Sequence, residues 1–173
     1  MNNSGVIPSE NMAETVKALV NNENFDAEDM PEGFVFCGAG AHRTTILAPD
    51  GYVYKVQHDT DDMWMENQWE WETYHLFGAE VKTLSNGMIR LAKAVEFFTD
   101  SNVLVMEYAP MAANAIWYDV DDNDNWNEYY SCPTIRNAIR DIGKHTLIDD
   151  IHGYNLYYTT NAELVIVDYA SAC

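Results

Sequence analysis

The last quarter of the chain limits most sharply what it can fold into. Asp149-Asp150-Ile151-His152-Gly153-Tyr154-Asn155 reads as a loop and Leu156 to Tyr158 as a short strand. Thr159 to Glu163 then read as a turn, and the apolar run Val165-Ile166-Val167 as a second strand that delivers Asp168 at its end. The layout suits phosphoryl transfer. That chemistry needs a carboxylate to orient or deprotonate an attacking hydroxyl, and an oxygen-ligand pair to hold magnesium against phosphates. Asp150 is the candidate base; Asn155 and Asp168 are the candidate metal ligands.

Whether this is more than an acidic loop beside a hairpin depends on what lies upstream. Phe34 to Cys37 read as a strand, followed by Gly38-Ala39-Gly40-Ala41-His42-Arg43, a strand over Thr44 to Leu47, and a Pro49-Asp50-Gly51 hairpin turn. Tyr52 to Val56 make the next strand and contain Lys55. Gly38 and Gly40 bracket a small residue, which suits either a tight turn or close approach of backbone to a phosphate. Lys55 has apolar neighbours on both sides, so it points either to solvent or inward to neutralise phosphate oxygens. Met63 to Phe77 read as a helix on which Asn67, Glu70, Tyr74 and Phe77 recur at spacings of three and four and share a face. A glutamate on that face needs a cation if it is buried, and Lys55 is the obvious one. Glu66 and Glu72 are the alternatives to Glu70.

The remaining segments read as supports. Ser9 caps a helix over Glu10 to Val20, with Met12, Val16, Leu19 and Val20 on one face. Asn21 to Gly33 form a polar connector. Val81 to Arg90 read as a loop turning at Ser85-Asn86-Gly87, and Leu91 to Phe98 as a strand. Val103 to Met106 are a continuous apolar run, hence a buried strand, which Glu107-Tyr108-Ala109-Pro110 ends. Asp119, Asp121, Asn123 and Asn125 imitate the start of a calcium loop. The imitation fails at Asp124, where glycine is needed, and at Tyr130, where a bidentate carboxylate is needed. That stretch reads instead as a solvated acidic loop carrying Trp117, Trp126, Tyr129 and Tyr130. Pro133 opens a basic amphipathic helix over Thr134 to Leu147, with Ile135, Ala138, Ile139, Ile142 and Leu147 as its expected buried set.

Composition excludes some functions. With 9 basic against 28 acidic residues the formal net charge is −19, which argues against nucleic acid or an anionic membrane as a partner. The same charge suits a basic protein partner. A length of 173 residues and 47% hydrophobic content fit one folded domain. Cys37, Cys132 and Cys173 have no metal-ligand spacing, residues 1–20 do not read as a signal peptide, and no apolar run reaches membrane-spanning length. A cytoplasmic location is expected.

Taken in order, these elements resemble the protein-kinase-like fold. They are most similar to small bacteriophage-encoded kinases and to aminoglycoside-phosphotransferase relatives, which share the D-x-H-x-x-N loop. The resemblance covers residues 34–173 and leaves 1–33 as a helix and connector. It implies an α+β fold: an N-lobe over 34–109, with a five-stranded antiparallel sheet and one helix, and a truncated, mostly helical C-lobe over 110–173. It further implies that Gly38 to Arg43 cover nucleotide phosphates, and that Lys55 contacts them and pairs with Glu70. Glu107 to Ala109 would hydrogen-bond adenine through their backbone behind Met106. Asp150 would be the base, with Asn155 and Asp168 holding Mg2+ for ATP. Asn155 and Asp168 are 13 residues apart, the family's own spacing. The chain departs from the pattern at Arg43, where a third glycine is usual, at Ile148, where a histidine is usual, and at Tyr169-Ala170 after the metal-binding Asp. It also ends at Cys173, before an activation segment. Three functions are compatible with this resemblance: a phage kinase acting on Ser or Thr of a host protein, an acidic kinase-shaped effector that blocks a host or defence protein, and a small-molecule phosphotransferase.

Overall fold

The computed structural model describes residues 7–58, 65–112, 133–148, 151 and 155–169. Two compact units divide the chain, one built from residues up to 72 together with 93–108, the other from 73–92 and 109–171. The class is α+β, with three helices and two sheets among the described residues.

The first unit is a five-stranded sheet of β1 (Val35–Ala39), β2 (Arg43–Leu47), β3 (Tyr52–Gln57), β5 (Ala94–Phe98) and β6 (Val103–Glu107). Its spatial order is β1-β2-β3-β6-β5, antiparallel throughout. This is the layout the resemblance implied for the small lobe. Helix α1 (Glu10–Val20) starts where the Ser9 hydroxyl accepts the Met12 N–H at 3.3 Å. Its Ala13 and Val16 pack on Ile46, Tyr54, Val56, Val103 and Val105, which cover one face of the sheet. Phe25 and Met30 of the connector join the same cluster, so the connector belongs to this unit.

Residues alternate across a strand, so Lys55, between Tyr54 and Val56, takes the other face. It stands opposite Thr45 on β2 and Leu104 on β6. Five of the six residues of β3 are buried, as expected for a central strand covered on both sides. Helix α2 (Glu66–Leu84) contributes its first seven residues, Glu66 to Glu72, to this unit.

The second unit holds the rest of α2, helix α3 (Pro133–His145), and a mixed sheet of order β4-β9-β8-β7. Its strands are β4 (Ile89–Leu91), β7 (Met111–Ala112), β8 (Leu156–Tyr158) and β9 (Leu164–Ile166), with β4 and β9 parallel. Two readings change here. Val81 to Arg90 is not a loop: α2 runs on to Leu84, Asn86 and Gly87 turn with positive φ, and β4 begins at Ile89. Leu91 to Phe98 is not one strand but the end of β4 and the whole of β5, which lie in different sheets. The buried Ser85 hydroxyl secures the turn, donating to the Ile89 carbonyl at 2.7 Å and accepting the Ile89 N–H at 3.1 Å. On α3, Ala138 and Ile142 are buried as expected. Leu147 is 57% exposed instead, because the helix ends at His145 and helical periodicity no longer applies; Thr146 and Ile148 are the buried neighbours.

Candidate functional site

The first unit assembles a buried ionic cluster around Glu70. Lys55 is 6% exposed and Glu70 0%. The Lys55 ammonium donates to both Glu70 carboxylate oxygens, at 2.7 Å each. Of the three glutamates open to this role, Glu70 makes the pair; Glu72 is exposed, and Glu66 lies 2.8 Å from Arg43. A buried ion costs several kcal/mol to desolvate, on the order of magnitude seen for such groups, so each needs an opposite charge beside it. Local sequence explains the arrangement. Strand alternation turns Lys55 off the α1 face, and the helical spacing of Asn67 and Glu70 turns both inward, where each is fully buried.

Arg43 departs from expectation. Its anticipated place was over nucleotide phosphates with Gly38 and Gly40. Its guanidinium instead donates from Nη1 to Glu70 Oε2 at 2.6 Å and from Nε to Glu66 Oε2 at 2.8 Å, and it is 8% exposed. Strand parity carried a signal for this: Arg43 is two residues from Thr45, which stands opposite Lys55, so both cations face one way.

Gly38 sits at an irregularity of the β1–β2 pairing and has φ +154, a conformation side-chain-bearing residues rarely adopt. At Gly40 an added Cβ would meet nothing within 4 Å, and its N–H donates to the Arg43 carbonyl at 2.8 Å, closing the turn. Among the residues expected to face adenine, Met106 is 2% exposed, and the Glu107 N–H donates to the Lys93 carbonyl at 2.9 Å. That amide is therefore committed within the protein. Ala109 is buried in the second unit. Burial, and then the charge of Cys37, raise the Tyr108 hydroxyl above the ordinary phenol range.

The second unit holds Asn155 and Asp168. Asn155 immediately precedes β8 and is 8% exposed; Asp168 follows β9 by two residues and is half-buried. The Val167 N–H donates to the Asn155 carbonyl at 2.9 Å, so the β8–β9 hairpin brings the backbone of the two candidate ligands to one end. Tyr169 is 2% exposed and donates its hydroxyl to the Ala92 carbonyl at 2.8 Å, which anchors the chain just past Asp168. The donor set, one amide and one carboxylate, fits a hard cation that takes its other ligands from phosphate and water. No group of three or more His, Cys, Asp or Glu placed to hold a metal occurs among the described residues. Asp150 lies outside the described residues, as does the calcium-like stretch from Asp119 to Tyr130. No described helix is long and apolar enough to cross a membrane.

No family model and no curated protein sequence matches this chain. Among solved structures it is similar to a co-crystal of the pseudokinase DRIK1, drought responsive inactive kinase 1, bound to ENMD-2076. Identity is 12% and the TM-score 0.47, over 96% of this chain and 64% of that one. The chain therefore spans less than two thirds of the length of that structure.

Proposed function

We propose that this protein is a kinase-like phosphotransferase that uses ATP and Mg2+ and transfers phosphate to a Ser or Thr hydroxyl of another protein. The observation that carries the reading is the buried Lys55–Glu70 pair, a lysine on a central strand held by both oxygens of a helix glutamate. A purely structural ion pair in that position would be replaceable by apolar residues at little or no cost, so its presence needs a reason. Orienting a lysine toward phosphate oxygens is such a reason. In this reading Lys55 neutralises phosphate charge, Asn155 and Asp168 hold the cation, and Asp150 orients the acceptor hydroxyl. Magnesium would supply charge neutralisation at the phosphates. The Gly38–Gly40 turn gives backbone that a phosphate can approach closely. A protein of the host cytoplasm is the proposed substrate, and a bacteriophage the proposed source.

The net charge of −19 favours a second reading, in which the protein is a weak or inactive kinase-shaped effector that occludes a basic surface on a host or defence protein. Calorimetric titration with ATP, with and without magnesium, on wild type and Lys55→Ala tests the first reading. It expects magnesium-dependent binding that the substitution weakens at least about ten-fold, roughly 1.4 kcal/mol. Absence of binding to wild type, or equal binding to both proteins, would leave the effector reading in possession.

A further inference from the structure

The face of the first unit that carries Lys55 holds a second buried cation which the phosphotransfer reading leaves without a role. Arg43 reaches from the start of β2 to the first turns of α2, donating to Glu70 Oε2 at 2.6 Å, to Glu66 Oε2 at 2.8 Å and, at 3.4 Å, to Asn67 Oδ1. Asn67 in turn donates from Nδ2 to the Lys55 carbonyl at 2.9 Å and to the Asn102 carbonyl at 2.8 Å. Three side chains within the first five residues of α2 are thus tied to the sheet.

Glu70 Oε2 accepts from Arg43 and Lys55 together. A carboxylate has lone pairs enough for both. In the contacts given above two cations, Lys55 and Arg43, face two carboxylates, Glu66 and Glu70, where Lys55 alone would face both. An anion that drew the Lys55 ammonium toward itself would leave Glu70 buried with its charge exposed to the protein interior, a costly state unless another cation stays. Arg43 is that cation.

We propose that Arg43 is a positioning residue, which holds Glu70 and the start of α2 on the sheet so that Lys55 can turn toward an anion while Glu70 remains compensated. The inference rests on the phosphotransfer reading only for the identity of the anion, a nucleoside triphosphate.

Two measurements on the 173-residue chain test it. In the first, Mg-ATP and adenosine are titrated into wild type, Arg43→Met and Arg43→Lys. Arg43→Met is expected to weaken Mg-ATP binding about ten-fold while leaving adenosine within about two-fold, and Arg43→Lys to restore most of the loss. Unchanged Mg-ATP binding, or equal weakening of both ligands, would overturn the proposal. In the second, the coupling between Lys55→Met and Glu70→Gln is read from urea unfolding in the wild-type and Arg43→Met backgrounds. The coupling is expected to grow about ten-fold in the unfolding constant when Arg43 is gone, because Glu70 then depends on Lys55 for compensation, and an unchanged or smaller coupling overturns the proposal. Should Arg43→Met fail to fold, Glu66→Gln, which cuts one tether of Arg43 and leaves Glu70 intact, carries both measurements with a smaller effect in the same direction. Should wild type bind neither ligand, the phosphotransfer reading falls, and the coupling measurement alone decides the role of Arg43.

Discussion

Glu70→Gln is the substitution from which the cluster yields the clearest number. Glu70 is 0% exposed and accepts from Lys55 at 2.7 Å through both oxygens and from Arg43 at 2.6 Å. Glutamine preserves the shape but removes the charge, and it presents an NH2 group to one of two cations. Arg43 keeps Glu66 at 2.8 Å, whereas Lys55 loses the Glu70 charge. Removing one partner of a buried ion pair costs about 3–5 kcal/mol, and the retained Glu66 contact argues for the lower end, about 3 kcal/mol. At about 2–4 °C per kcal/mol for a chain of this size, Tm should fall by about 6–12 °C. Urea unfolding with linear extrapolation measures the loss directly. The companion Lys55→Met/Glu70→Leu removes both charges of the pair together and should recover most of it. A Glu70→Gln loss below about 1 kcal/mol would place the pair with ordinary surface salt bridges and refute the reasoning.

Three smaller effects follow from other contacts. Asn67→Ala removes a buried hydrogen bond to the Lys55 carbonyl and a part-buried one to the Asn102 carbonyl; urea unfolding should read a loss of about 2–3 kcal/mol. Tyr54 is 0% exposed and donates to Asp50 at 2.6 Å, and burial first, then Asp50, raise its pKa above the phenol range. Its contribution is therefore present below about pH 10 and lost as pH rises beyond it, so Tyr54→Phe should flatten the alkaline fall of Tm. The hydrogen bond and charge of Arg90, at 2.8 Å, lower the pKa of the exposed Glu163. That stabilisation is present above about pH 4 and fades as pH falls, so the stability gap between wild type and Glu163→Gln should be small at pH 7, under about 1 kcal/mol, and shrink as pH falls below about 4.

The sequence made the first unit legible where signals were local. Pro49-Asp50-Gly51 marked the β2–β3 turn, which Gly51 completes at φ +84, and Ser9 marked the start of α1. The second unit was less legible because its organising contact is distant: β4 pairs in parallel with β9, Ile89 against Leu164, and no window of neighbouring residues contains both. The extension of α2 to Leu84 was hidden by Ser85-Asn86-Gly87, a turn signal that closes the helix rather than replacing it. At the candidate site, helical spacing found the face of Glu70 but could not choose the partner among three glutamates; burial of Asn67 and Glu70 against β3 made the choice. The inward Arg43 was visible in principle from strand parity with Lys55. The Gly-Ala-Gly turn just before it gives the stronger local signal, and that signal places Arg43 in the loop and not on the strand it opens.

Transfer of label from γ-32P-ATP to protein, with magnesium and an extract of bacterial cells as the proposed host, tests the central claim most directly. Wild type should label an acceptor, and Asp168→Ala should fall to background. Equal incorporation by the two proteins, or none by wild type under conditions where it is folded, would contradict it.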